Sequence, residues 1–138
     1  MLAFGNIFFF IFHTLLILFN VLGWTWVKTR KWNLLTLGMT FCSWCVMGIW
    51  KGVGYCICTD WHWQIRHAMG IKGDPDSYLI LLVQKLTGWT PSVSLTNTTA
   101  LIVFIASTLA SVTLNFKDWK KRRENKRKGD NNLAQANP

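Results

Sequence analysis

The residues able to do chemistry are few, and most lie in one stretch: Cys56, Cys58, Asp60, His62, Arg66 and His67 all fall between Gly54 and Met69. Two thiols near a membrane surface suggest redox exchange. Two cysteines with two histidines are also the ligand types that zinc or copper takes. Spacing argues against both. Cys-x-Cys is not the usual redox arrangement, and Cys42-Ser-Trp-Cys45 lies inside an apolar run, where thiols act as small hydrophobes. His62 and His67 are five apart, about 140° around a helix, so their rings diverge. No metal site is expected, and His62 between Trp61 and Trp63 reads as an interfacial residue. Asp60 reads as a helix cap paired with Arg66, and Asp74 and Asp76 around Pro75 as turn residues. His13 is the one histidine, lysine, arginine or carboxylate inside an apolar run, with Asn20 seven residues on along the same face. Intramembrane histidines mark proton paths or ligand sites. Their plainer use is a hydrogen bond between helices, worth about 1 kcal/mol or less. No Gly-rich phosphate loop, Ser-His-Asp order or H-E-x-x-H is present. No catalytic set and no cofactor are expected.

The elements that carry these residues follow from charge segregation. The 138 residues are 51% hydrophobic with a net charge of +9, yet Met1–Val27, Trp32–Trp50 and Leu86–Phe116 contain no charged side chain. Apolar stretches of about 20 residues match the roughly 30 Å core of a bilayer, which excludes most soluble enzyme classes. The first stretch lacks the basic start and small-residue cleavage site of a signal peptide and is expected to be retained. Lys28, Arg30 and Lys31 form one basic turn, and the tail from Lys117 carries eight basic against three acidic residues. Both belong in the cytoplasm by the positive-inside rule. Loop and tail on one side require an odd number of spans. The reading is therefore an all-α integral membrane protein with three transmembrane helices, about 4–27, 32–50 and 98–116, and the N-terminus outside. Tyr78–Gly88 reaches only about 16 Å, too short to cross, and is expected to lie at the interface. A four-span alternative would put the most basic segment outside.

Residues 51–97 form the expected outer cap, built of two short interfacial helices. Gly52-Val-Gly54-Tyr55 ends the second span. Thr59 or Asp60 starts a helix that Gly70 stops, with Trp61, Ile65 and Met69 facing the membrane or bundle. Ser77 or Asp76 caps the next helix, Gly88 and Pro91 end it, and Thr96 or Asn97 caps the last span. Trp24, Trp26, Trp32 and Trp119 fall at the inner boundary, and Trp50, Trp61, Trp63 and Trp89 near the outer one, as tryptophan's apolar ring and polar N–H require.

The run Gly54-Tyr55-Cys56-Ile57-Cys58-Thr59-Asp60-Trp61, after an apolar span with Phe12-His13 and before Ser77-Tyr78-Leu79, resembles a domain-of-unknown-function family of small bacterial inner-membrane proteins. Their motif reads roughly Gly-Tyr-Cys-Pro-Leu-Thr-Asp-Trp. Cys56, Thr59, Asp60 and Trp61 match it, whereas Ile57 and Cys58 replace the usual Pro and Leu. The resemblance covers about residues 8–118 and implies architecture and a bacterial inner-membrane location, without an activity.

The domain reading is a membrane domain over 1–119 and a cytoplasmic tail, basic then polar, over 120–138. The tail is expected to meet anionic lipids, at about 1 kcal/mol per basic residue near the surface. It shows no base-reading pattern, so no nucleic-acid partner is expected. Gly129–Pro138 is expected to be disordered. Polar helix faces such as Thr36-Thr40-Ser43 and the small-xxx-small pair Ser107 and Ser111 invite a membrane-protein partner or a second copy. The function expected first is a non-catalytic accessory or scaffold subunit. The alternative is a small membrane enzyme or ligand site under the cap, using Cys56, Asp60, Arg66 and His13, with Thr59 and Trp61 beside them.

Overall fold

A computed structural model describes residues 1–51 and 56–136, without side-chain detail at 47–48, 50–51, 130 and 133–136. The expectations for Gly52–Tyr55 and for the Trp50 ring lie outside the described residues. The chain is all-α, with α1 Leu2–Leu22, α2 Arg30–Lys51, α3 Ile57–Ala68, α4 Tyr78–Thr87 and α5 Val93–Ala136.

Two helices among the described residues, rather than the expected three, are long and apolar enough to cross a membrane: α1 and the part of α5 up to Gly129. The difference lies in α2. Its outer face is apolar, with Leu35, Met39, Phe41 and Val46 exposed, but its inner face carries Asn33, Thr36, Thr40 and Ser43 and dilutes its hydropathy.

Glycine sets the turn between α1 and α2. At Gly23 a Cβ would lie 2.5 Å from the Phe19 carbonyl oxygen and 3.0 Å from Asn33 Nδ2. That crowding exists because Asn33, fully buried on α2, donates at 2.7 Å to the Phe19 carbonyl, which also accepts from the Gly23 amide at 2.8 Å. At the same end Arg30 Nη1 pairs with Asp118 at 2.9 Å, and Asn115 Nδ2 donates to the Arg30 carbonyl at 3.1 Å. The basic turn and the start of the charged tail therefore share one end of the molecule.

Several boundaries differ from expectation. The first span stops at Leu22, and residues 23–29 form a turn. α5 begins at Val93, three residues before the expected caps, because Ser92 Oγ accepts from the Leu95 amide. It runs as one helix through Ala136, so the tail expected to be disordered is helical over its described part. α4 matches its expected limits: Ser77 Oγ accepts from the Ile80 amide, and Gly88 closes the helix at φ 75°, a left-handed conformation suited to glycine.

The largest departure is the cap. α3 packs antiparallel along the N-terminal half of α1, placing His62 against Asn6 and Phe9 and Ile65 against Gly5. It starts with Cys56, whose carbonyl accepts from the amides of Thr59 and Asp60, so neither of those residues is the cap. Its inward face is Thr59, His62 and Arg66, while Trp61 and Met69 are exposed.

Candidate functional site

The site grows from one face of α1, where Asn6, His13 and Asn20 recur every seven residues, two heptad steps along the helix. Each meets a different element. Asn6 Oδ1 lies 2.8 Å from His62 Nε2 on α3, and since the amide oxygen only accepts, the imidazole donates from that nitrogen. Asn20 Nδ2 donates to Thr40 Oγ1 on α2 at 2.9 Å, and Thr40 in turn donates to the Thr36 carbonyl. His13 is 6% exposed and stacks on the Tyr78 ring of α4, with centroids 4.1 Å apart and an interplanar angle of 11°. The Tyr78 hydroxyl donates to the Phe10 carbonyl at 2.6 Å and lies 2.8 Å from Thr14 Oγ1. That contact ties the short α4 to mid-height on α1.

These contacts surround a cavity of about 360 Å³, lined by His13, Asn20, Cys56, Thr59 and Tyr78 with Asn97 of α5. An apolar pocket of about 350 Å³ adjoins it, lined by Leu37, Val83, Val103 and Phe104. The two share Ile17, Asn20, Thr40, Trp44, Leu79 and Ala100. Among the described residues, His13 Nδ1 and Asn20 Oδ1 are buried without hydrogen-bond partners. Since Thr40 spends its proton on Thr36, Asn20 presents its oxygen, so a group entering here must donate a hydrogen bond.

All four cysteines are free thiols, with Cys42 and Cys45 exposed. The Cys56 thiol is held well below its ordinary range, first by a hydrogen bond from the Cys58 side chain. The His13 imidazole adds to this, and burial opposes it. Cys58, as donor in that bond, is pushed up, with burial and the neighbouring Cys56 charge adding to the effect. Burial lowers the His62 pKa, and the positive charge of Arg66 and then His13 lower it further. Burial likewise raises the Tyr78 phenol.

Of the sequence candidates, His13, Asn20, Cys56 and Thr59 converge on the cavity. Asp60, Trp61 and Arg66 do not line it. Asp60 accepts from Gln64 Nε2 at 3.0 Å, and Trp61 lies edge-on to Phe9. Arg66 pairs with Asp74 rather than with Asp60, and His67 Nε2 lies 3.2 Å from the same carboxylate. Asp74, read as a turn residue, is thus a nearly buried anchor between α3 and the loop before α4. His62, read as interfacial, is fully buried. No group of three His, Cys, Asp or Glu side chains that could hold a metal gathers among the described residues. Sequence reading missed Asn6 and Tyr78. Carrying the seven-residue step from Asn20 and His13 back once more gives Asn6; Tyr78 stands in the Ser77-Tyr78-Leu79 run of the family resemblance, which assigned it no role.

An all-α chain with long apolar helices and a half-polar cavity between them is the class this geometry defines. The family model described as "Protein of Unknown function (DUF2784)" matches residues 3–116, and the chain belongs to that family. No curated protein and no solved structure matches it.

Proposed function

We propose that this is a multi-pass membrane protein that binds a single-chain, hydroxyl-bearing amphiphile between its helices, with the polar end beside His13, Asn20 and Tyr78 and the chain in the adjoining apolar pocket. The observation that carries the reading is the pairing of the two spaces: buried polar atoms without partners line one, and aliphatic and aromatic side chains line the next. Each lies within the roughly 300–1,000 Å³ of ligand sites.

Membrane residence is supported by exposure. Phe4, Phe8, Leu15, Ile102 and Leu109 on α1 and α5 lie open, which is costly in water and ordinary in lipid. α2 joins them as the third span, with its apolar face outward and its polar face toward α1 and α5. α3 and α4 serve as the two short helices of the outer side. Trp26, Trp32 and Trp119 are exposed at the end shared by the basic turn and the tail, and Trp61 and Trp89 are exposed on the opposite side. The aromatic belts and the positive-inside rule support a cytoplasmic tail and an outer N-terminus, and the family resemblance supports a bacterial inner membrane. The basic helix beyond Phe116, where Arg123 lies 4.2 Å over Trp119, suits anionic lipid headgroups. Ser107 and Ser111, offered above as a partner face, are buried within the chain, so the cavity rather than a scaffold surface supports the function.

The test uses the purified protein in detergent with Cys42→Ser and Cys45→Ser removing the exposed thiols. Mono-olein should slow labelling of Cys56 by N-ethylmaleimide, and Ala100→Phe, which intrudes on both spaces, should remove that protection while the helical circular dichroism persists. Labelling indifferent to mono-olein at saturation would sink the reading.

A further inference from the structure

We infer that Cys56 is a nucleophile that accepts the acyl group of a long-chain ester, with His13 supplying the proton to the departing alcohol. The inference rests on the amphiphile site proposed above and names its substrate class.

Three observations carry it. Cys56 and His13 line the same cavity, and among the described residues His13 Nδ1 is buried there without a partner. Cys56 occupies the N-cap position of α3, where the helix dipole favours a negative sulfur. The neighbouring apolar pocket gives the acyl chain a place to lie while its ester carbonyl reaches the sulfur. The depressed Cys56 ionisation agrees with this arrangement. A bare cysteine on a helix end would lack both the buried imidazole and the chain pocket.

In the step, the Cys56 proton resides on His13, leaving a thiolate beside an imidazolium. The sulfur attacks the ester carbonyl carbon, forming a C–S bond. The tetrahedral adduct collapses, the bond to the alcohol oxygen breaks, and the alkoxide takes the imidazolium proton. The products are an S-acyl cysteine and a neutral alcohol, with no oxidant or reductant consumed. Water later releases the fatty acid and restores the thiol.

The probe is p-nitrophenyl dodecanoate on the Cys42→Ser, Cys45→Ser background. The expected result is a burst of about one p-nitrophenol per chain and a dodecanoyl mass adduct on Cys56 that hydroxylamine removes. Cys58→Ala removes the hydrogen bond that favours the Cys56 thiolate and should slow formation of the adduct while leaving it on Cys56, whereas Cys56→Ala should abolish it. His13→Gln should slow the burst by on the order of 10²-fold and move the pH profile of Cys56 alkylation upward, a change that a purely structural histidine would not produce. p-Nitrophenyl acetate, which cannot use the chain pocket, should acylate far more slowly. If Cys56→Ala does not fold, peptide mapping of the wild-type adduct decides its position. An adduct at Cys58, or equal rates for acetate and dodecanoate, overturns the inference. No adduct in a protein that mono-olein still protects overturns the acyl transfer and leaves the binding site standing; loss of both removes both.

Discussion

At the scale of single residues, buried polar groups decide both stability and site. Gly23→Ala forces a methyl against the Phe19 carbonyl and the Asn33 amide. The cost should be about 1–3 kcal/mol, read as a lower unfolding temperature in detergent with unchanged helix content. His62 makes stability depend on pH. Its pKa is lowered on folding, so its contribution is complete above the unfolded value of about 6.5 and is lost as pH falls from there toward the lowered value. His62→Gln keeps a donor for Asn6 without titrating. It should flatten the acid limb of a stability profile below about pH 6.5; a profile identical to wild type would show that His62 does not titrate on unfolding. Little of this was readable in advance. Asn20 and His13 were visible as a polar pair on one face, and Asn20 does bond across to Thr40. His62 was misjudged because two flanking tryptophans signal an interface as readily as a packed helix. What settles it is Asn6, fifty-six residues away along the chain.

At the scale of elements, local signals were reliable where local chemistry decides. Ser77 and Gly88 bound α4 because a side-chain acceptor and a left-handed glycine act within four residues. α3 lies where the sequence places it, but its cap is Cys56, three or four residues before the expected Thr59 or Asp60. The Trp61, Ile65, Met69 stripe is the apolar one, yet α3 turns Thr59, His62 and Arg66 inward because α1 offers Asn6 and the loop offers Asp74. The Arg66–Asp74 pair should therefore act as a clamp. Asp74→Asn leaves a nearly buried guanidinium without its counter-charge and should cost about 1–3 kcal/mol. The loss should appear first as faster amide exchange in α3 and residues 69–77, with α1 and α5 protected. Uniform loosening of all helices would instead make the pair part of the global core. α2, expected as a span, is not among the helices long and apolar enough to cross a membrane, because its polar residues face the bundle and hydrogen-bond to α1.

At the scale of the whole molecule, the Arg30–Asp118 pair holds the basic turn and the start of the tail at one end. In spheroplasts and inverted vesicles, single cysteines replacing Lys28 and Lys126 should label from the same side, opposite to one replacing Lys72; mixed sidedness would refute the three-span arrangement. The helical tail was not legible because α5 simply continues through a sequence whose composition resembles a disordered chain. The cavity was legible only in part: Cys56 and His13 stood together as a candidate ligand site under the cap, but the residues of α2, α4 and α5 that complete the lining come from elements far apart in the chain. It is nonetheless the feature on which the functional account turns. Native mass spectrometry of the protein released from its own membrane tests that account most directly. A lipid-mass adduct should survive detergent exchange at about one per chain in the wild type, as a single site requires, and disappear in Ala100→Phe. A bare chain, or adducts retained equally by the variant, would contradict it.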